Sequence, residues 1–251
     1  MMTRTEYLRT YLNRALAEAY SYVWEPIVEV YRFYEDRELT MPHLVRAPDR
    51  YNVQRSRLMV VGQQTGGWHD QQDISSVNPS QLMNWHSEFD LAENTKVKKS
   101  PFWQIAHKIN TALNVSTPPA FIWSNLIKLA ERRKPAEKYG KPTTELRDAI
   151  REAGLLQLEL EILKPNVVVF FTGPTGYYTW ELKQQFPGIC IEGARGYDEH
   201  ILAKLNHDLL PEHTYRSYHP NALNRSATKK HKGERVGLEV IDSLIELIVE
   251  S

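Results

Sequence analysis

The chain has 251 residues, 41% of them hydrophobic and 25% charged, with 31 basic residues balancing 31 acidic ones. That composition supports a buried core and argues against disorder, and no run approaches the roughly 18 apolar residues of a membrane helix. One cysteine, Cys190, excludes an internal disulfide framework, an all-cysteine zinc site and a four-cysteine iron–sulfur cluster.

The first residues lack the apolar stretch of a signal peptide, so the cytoplasm is the expected location. Residues 5–35 carry Tyr7, Leu8, Tyr11, Leu12, Leu16, Tyr20 and Val23 at helical spacing, interrupted by Pro26. Two helices meeting near that proline are expected. After a loop, residues 57–61 form a short apolar run ending in Gly62, which reads as a buried strand. A helix is expected over 101–113, capped by Ser100 with Pro101 in its first turn. Strands are expected over 120–124, 166–171, 189–191 and 214–217, and helices over 144–163 and 234–249. Strands spaced by helices indicate an α/β fold of three layers, α/β/α, around a mostly parallel sheet of four or five strands. An amino-terminal helical extension (1–54) packs on that core (55–251).

In such folds ligands bind beyond the carboxyl ends of the strands, so the polar residues there are the ones to examine. The first strand runs into Gly62-Gln63-Gln64-Thr65-Gly66-Gly67-Trp68, a glycine-rich turn that admits a ligand close to the backbone. It matches neither a Walker loop nor GxGxxG. The second runs into Asn125, whose amide offers an acceptor and a pair of donors suited to a base edge, or to capping a turn. The late segment Tyr218-His219-Pro220-Asn221-Ala222-Leu223-Asn224-Arg225 sets a histidine before proline, in extended geometry. Two basic runs follow: residues 128–141 hold six basic and two acidic side chains, residues 225–235 five and one. Taken alone, each reads as a solvated face.

In this order the three segments resemble the uracil-DNA glycosylase superfamily. Its members carry a water-positioning turn (GQDPY, GINPG, GEAPG or GEQPG), a strand ending in asparagine and a late HPSPL-type loop. The matches are Gly62-Gln63-Gln64-Thr65-Gly66, Asn125 and His219-Pro220-Asn221-Ala222-Leu223, with Lys164-Pro165 before the strand at 166–171. The resemblance implies a monofunctional DNA glycosylase that hydrolyses the N-glycosidic bond of a flipped uracil or modified pyrimidine and leaves an abasic site. It implies catalytic roles for Gln64 and His219, and base contacts from Gln63, Asn125 and Trp68. Gly66, Asn221, Leu223 (as a wedge) and Arg225 would contact DNA. Both basic runs would flank the mouth of the site. The resemblance implies DNA as the partner of a monomer needing no cofactor, no metal, no iron–sulfur cluster and no membrane.

Thr65 and Asn221 depart from the family's usual proline and serine, and the first motif has no carboxylate. Asp70 or Asp73 is a candidate general base, and Trp68, Trp85 and Phe89 are candidate stacking rings. These departures surround the base, which admits a hypermodified cytosine of phage DNA, excised in defence, as substrate. The motifs of zinc deaminases and of Gly-x-Ser-x-Gly hydrolases are absent. The rival from another class is a non-catalytic module that binds DNA or a damaged base on the same fold.

Overall fold

A computed structural model describes residues 4–69, 73–91, 100–114, 120–132, 137–174, 176–225, 230–231, 234–235 and 237–250. The chain opens with α1 (Arg4–Tyr22), α2 (Trp24–Phe33) and β1 (Glu38–Leu39), followed by β2 (Leu58–Gln64), α3 (Pro79–Leu91) and α4 (Pro101–Leu113). Next come β3 (Ile122–Ile127), β4 (Glu131–Arg132), α5 (Thr144–Arg151), α6 (Leu155–Leu163), β5 (Val167–Phe170) and α7 (Gly176–Gln185). The last part holds β6 (Cys190–Gly193), β7 (Leu202–Asn206), β8 (His213–Ser217), α8 (Pro220–Arg225), β9 (Lys230–His231), β10 (Glu234–Arg235) and α9 (Glu239–Glu250).

Among the described residues the central sheet has six strands in the order β3-β2-β5-β8-β7-β6. The first four are mutually parallel, and β7 and β6 extend the sheet antiparallel from β8. The α/β class expected from the sequence is therefore the observed one. The sheet exceeds the expected four or five strands because β7, Leu-Ala-Lys-Leu-Asn, lacks the β-branched run that marks a strand.

Successive residues of β2 face opposite sides of the sheet. Met59 and Val61 join one buried cluster, with Leu16, Tyr20, Ile27, Leu160 and Leu182; Leu58 and Val60 join another, with Phe102, Ile105, Leu223 and Leu244. Helices α1, α2, α6 and α7 thus cover one face and α4, α8 and α9 the other, as in a doubly covered parallel sheet.

Local chemistry shifts several boundaries. The break between α1 and α2 falls at Val23, and Pro26 sits in the first turn of α2, where its missing N–H costs nothing. The single helix expected over 144–163 is two, parted by Gly154 in the left-handed region (φ 63°). The last helix starts at Glu239 rather than at residue 234, because Glu234 and Arg235 pair with His231 and Lys230. Strand β2 runs on through Gly62 and Gln63 to Gln64, since Gly62 and Gln64 pair with Asn125 and Ile127 of β3; the turn begins only at Thr65.

The amino-terminal residues are tied to the loops beyond β2 and β3. The Thr40 N–H donates to the Ala130 carbonyl (3.0 Å), the Met41 N–H to the Trp68 carbonyl (3.1 Å) and the His43 N–H to the Lys128 carbonyl (2.7 Å). Thr40 Oγ1 lies 2.9 Å from Thr65 Oγ1 and accepts the Ala130 N–H at 2.9 Å. Thr65, where the resemblance has proline, thus holds a buried hydroxyl contact to the extension.

Candidate active site at the strand ends

The parallel register sets Gly62 of β2 beside Asn125 of β3. A Cβ on Gly62 would lie 2.6 Å from Asn125 Oδ1 and 3.7 Å from Phe102 Cε2. Only glycine therefore lets the asparagine amide lie across the strand end. Asn125 is 2% exposed, and its Nδ2 has no hydrogen-bond partner among the described residues. A buried amide donor without a partner is costly, and such a group in a native structure calls for an explanation.

Phe102 is placed by the start of α4, where the Ser100 side chain accepts the Trp103 N–H and Pro101 opens the helix. Its ring stacks on His219 at a centroid distance of 5.6 Å and an interplanar angle of 21°. His219 precedes the first turn of α8, and its carbonyl accepts the Ala222 N–H (2.7 Å). Its Nδ1 accepts the Asn221 backbone N–H (3.2 Å), which assigns the ring proton of the neutral imidazole to Nε2. Burial lowers the His219 pKa to about 4, so the ring is neutral at pH 7 and carries an Nε2–H donor.

The other wall comes from β2 and β5. Gln63 Nε2 donates to the Thr172 carbonyl (2.9 Å), just beyond β5. Gly173, with φ of 72°, donates its N–H to the Ser217 carbonyl, and a Cβ there would touch Tyr218 at 3.9 Å. Gln64 Oε1 accepts the Tyr178 hydroxyl from α7. Asn125 and Phe102 thus both border Gly62, with His219 stacked on Phe102, and Gln63 bonds Thr172, beside the Gly173 that borders Tyr218, the neighbour of His219. Such a site pairs an unpartnered amide with a stacked ring and a neutral imidazole donor. It can accept a flat polar heterocycle and stabilise charge developing on one of its oxygens.

Not every sequence-based expectation survives. Trp68 is 7% exposed and packs edge-on against His43 (5.1 Å), Phe89 (5.5 Å) and Trp123 (5.7 Å), so it belongs to an interior aromatic cluster. Trp85 stacks on His69. The ring against the histidine is Phe102. The sequence motifs gave Phe102 no role; it follows the Ser-Pro cap of α4 and is buried, 7% exposed, where it meets His219. Leu223 is 2% exposed in the cluster with Leu58 and Phe102 and is no exposed wedge as folded. Gln63 commits one of its two amide hydrogens to the Thr172 carbonyl.

Asp73 is exposed and caps the turn at Ile74–Ser76 through the Ser75 N–H (2.9 Å). Gly66 is exposed, with open space where a Cβ would stand. Asn221 is half-buried beside His219, and its Oδ1 is buried without a hydrogen-bond partner among the described residues. Asp70 and the Arg225 side chain lie outside the described residues, as do Arg133, Lys134, Lys229 and Lys232 of the basic runs.

Lys128 overturns part of the first basic run. Being four residues beyond Ser124, it turns inward, and its Nζ bonds Glu159 Oε1 and Oε2 and Ser124 Oγ, each at 2.6 Å. The Tyr20 hydroxyl donates to Glu159 Oε1 (3.0 Å) and accepts the Val45 N–H (3.2 Å). That cation is buried and spoken for, not offered at the mouth.

Among the described residues no helix is long and apolar enough to cross a membrane. A family model described as the uracil DNA glycosylase superfamily matches residues 48–239, well over half of the chain. No curated protein matches it.

Proposed function

We propose, for a chain that belongs to the uracil DNA glycosylase superfamily, the hydrolysis of the N-glycosidic bond of a flipped uracil or modified pyrimidine in DNA. The observation that carries this reading is the neutral His219, stacked on Phe102 beside Gly62, the strand neighbour of Asn125, whose amide donor has no partner among the described residues. Extruding a nucleotide costs a few kcal/mol, recovered by stacking and edge contacts in the pocket. Phe102, itself buried, holds the His219 ring in place, and Asn125 Nδ2 supplies a donor to the base edge.

As the C1′–N bond breaks, its electron pair moves onto the base while the sugar gains oxocarbenium character. His219 Nε2–H then donates to the base oxygen on which the negative charge collects. A neutral donor is suited to that task, because it hydrogen-bonds the leaving base without first surrendering a proton to solvent. Water adds its oxygen to C1′ and loses a proton to solvent. Gln64, its amide oxygen fixed by Tyr178, retains a second lone pair and its amide N–H groups to orient that water.

The direct test is a panel of oligonucleotides carrying uracil, mismatched or modified pyrimidines, including hydroxymethylcytosine derivatives, scored for free base and abasic sites. Release from at least one, abolished in His219→Ala, is the expected result. A specific observation supports a second reading, a binding module without turnover: the first motif has no carboxylate, and Tyr178 already engages Gln64. Base-selective binding that persists in His219→Ala, with no base released by the wild type, would establish that module instead.

A further inference from the structure

The turn to α7 leaves the sheet beside Gln64, and its first residues carry an alternating stack of rings and cations. Lys141 Nζ lies 4.7 Å from the Tyr177 ring centroid and 4.8 Å from that of Tyr178. Arg147 Cζ lies 4.7 Å from Tyr177 and 4.0 Å from Trp180, and Arg151 Cζ 5.2 Å from Trp180. Tyr177 and Trp180, three apart on α7, share one helix face. Tyr178 joins the inner end of the stack to Gln64 through its hydroxyl.

The two arginines and the lysine are held differently. Arg147 and Arg151 are buried or half-buried and bonded to Glu181 Oε2 (3.1 and 2.9 Å), with Asp148 beside them. Their charges are answered within the fold, and their planes hold the rings. Lys141 is exposed and has no carboxylate within ion-pair distance among the described residues, while Trp180 is 39% exposed. A stack built only to join α5 to α7 needs neither an exposed ammonium that no described carboxylate neutralises nor a half-open indole.

We propose that the Lys141–Tyr177–Arg147–Trp180 stack is the track for the single-stranded segment flanking the flipped nucleotide. Lys141 takes a phosphate, and Trp180 offers a stacking face to a neighbouring base. The alternation of fixed aromatic faces with an exposed cation that no described carboxylate neutralises is what sequence-tolerant strand binding requires. The proposal rests on the glycosylase reading for its orientation toward Gln64, but its binding chemistry does not depend on turnover.

The test uses the full chain and a labelled fifteen-residue oligothymidylate, which contains no uracil or modified base, titrated by anisotropy between 50 and 300 mM salt. Wild type should bind with a salt-dependent affinity, and Lys141→Ala should lower the slope of log K against log salt by about 0.7, the share of one phosphate on a single strand. Trp180→Ala should weaken binding roughly five- to a hundred-fold, and Trp180→Phe should retain most of it. Lys141 is exposed, so its variant keeps the assay valid should Trp180→Ala fail to fold. Absence of wild-type binding at 50 mM salt, an unchanged slope in Lys141→Ala, or equally strong competition by polyglutamate would each overturn the track. Oligothymidylate binding with these sensitivities, in a protein that releases no base from any DNA, would leave the track standing and remove the glycosylase reading.

Discussion

Strand β3 presents two adjacent residues to opposite faces of the sheet, and their surroundings differ in kind. Ser124 meets Lys128, Glu159 and Tyr20, a buried cluster in which each charged atom has a partner. Asn125 lies against Gly62, on the face where Phe102 packs, with an amide donor that has none among the described residues. Polar satisfaction on one face anchors the amino-terminal helix to the core, while the unmet donor on the other is the one the proposed function uses for the base. On that proposal stability and recognition are kept apart by a single peptide step, and substitutions on the two sides should fail in different ways.

The largest effect is expected behind the strand. Glu159→Gln leaves the buried Lys128 uncompensated, and breaking such a pair costs about 3–5 kcal/mol. Urea unfolding should register that loss, and the double variant Lys128→Met/Glu159→Leu should recover most of it. Equal losses in the single and double variants would mean that the cluster matters for its packing rather than its charge.

In front of the strand the loss should be of rate. Asn125→Ala and His219→Ala should each lower turnover on the true substrate by about 10²–10³, the usual effect of deleting one donor to a developing anion. For Asn125→Ala the unfolding midpoint should stay close to wild type, because the buried donor it removes has no partner among the described residues. A rate unchanged in either variant would take that residue out of the site.

The buried state of His219 adds a pH signature. Its pKa of about 4 in the folded chain lies below the ordinary histidine value near 6.5, so between those values the unfolded chain binds a proton that the native one refuses. Its contribution to stability is therefore present above pH 6.5 and is lost as the pH falls toward 4. The neutral donor itself persists through that window, so turnover measured on folded protein should be level from pH 8 to about 5 and fall only on approach to 4. A limb centred near 6.5 would show that the ring is solvated in the working enzyme.

Gly62→Ala probes the seam between the two faces. The new methyl would stand 2.6 Å from Asn125 Oδ1, and displacing that amide by part of an ångström should cut turnover about tenfold or more. An Ala variant with full activity would mean that Asn125 works from another rotamer.

Legibility in the sequence followed the same division. The strands at 58–64 and 167–170 could be read because continuous apolar runs are bounded by Pro165, Gly62 and Gly173, and Gln64, Asn125 and His219 could be found because they stand in or just beyond the carboxyl-terminal parts of strands. Phe102 was hidden, since a ring in an amphipathic helix looks like core whichever end of the sheet it reaches. Lys128 was misread because a cluster of basic residues carries no information about which of them turns inward; Ser124 and Lys128 lie on one face only once the strand's end is known. Trp68 and Leu223 were placed by analogy of position, and local packing decided both.

The smallest effect concerns the amino-terminal residues, and it distinguishes a scaffold from a working part of the site. Thr40 Oγ1 holds both the Thr65 hydroxyl and the Ala130 N–H, so Thr40→Val strands two buried polar groups and should cost about 1–3 kcal/mol. Thr65 directly follows Gln64, whereas Asn125 is fixed independently by its register with Gly62. A lapse in the clamp should therefore disturb the water-orienting arm and leave base recognition intact. The expected outcome is a few-fold fall in kcat with KM near wild type, in a variant whose melting temperature drops by several degrees. A rise in KM at constant kcat would relocate the extension's influence to binding, and stability loss with both constants unchanged would reduce it to a lid on the hydrophobic core.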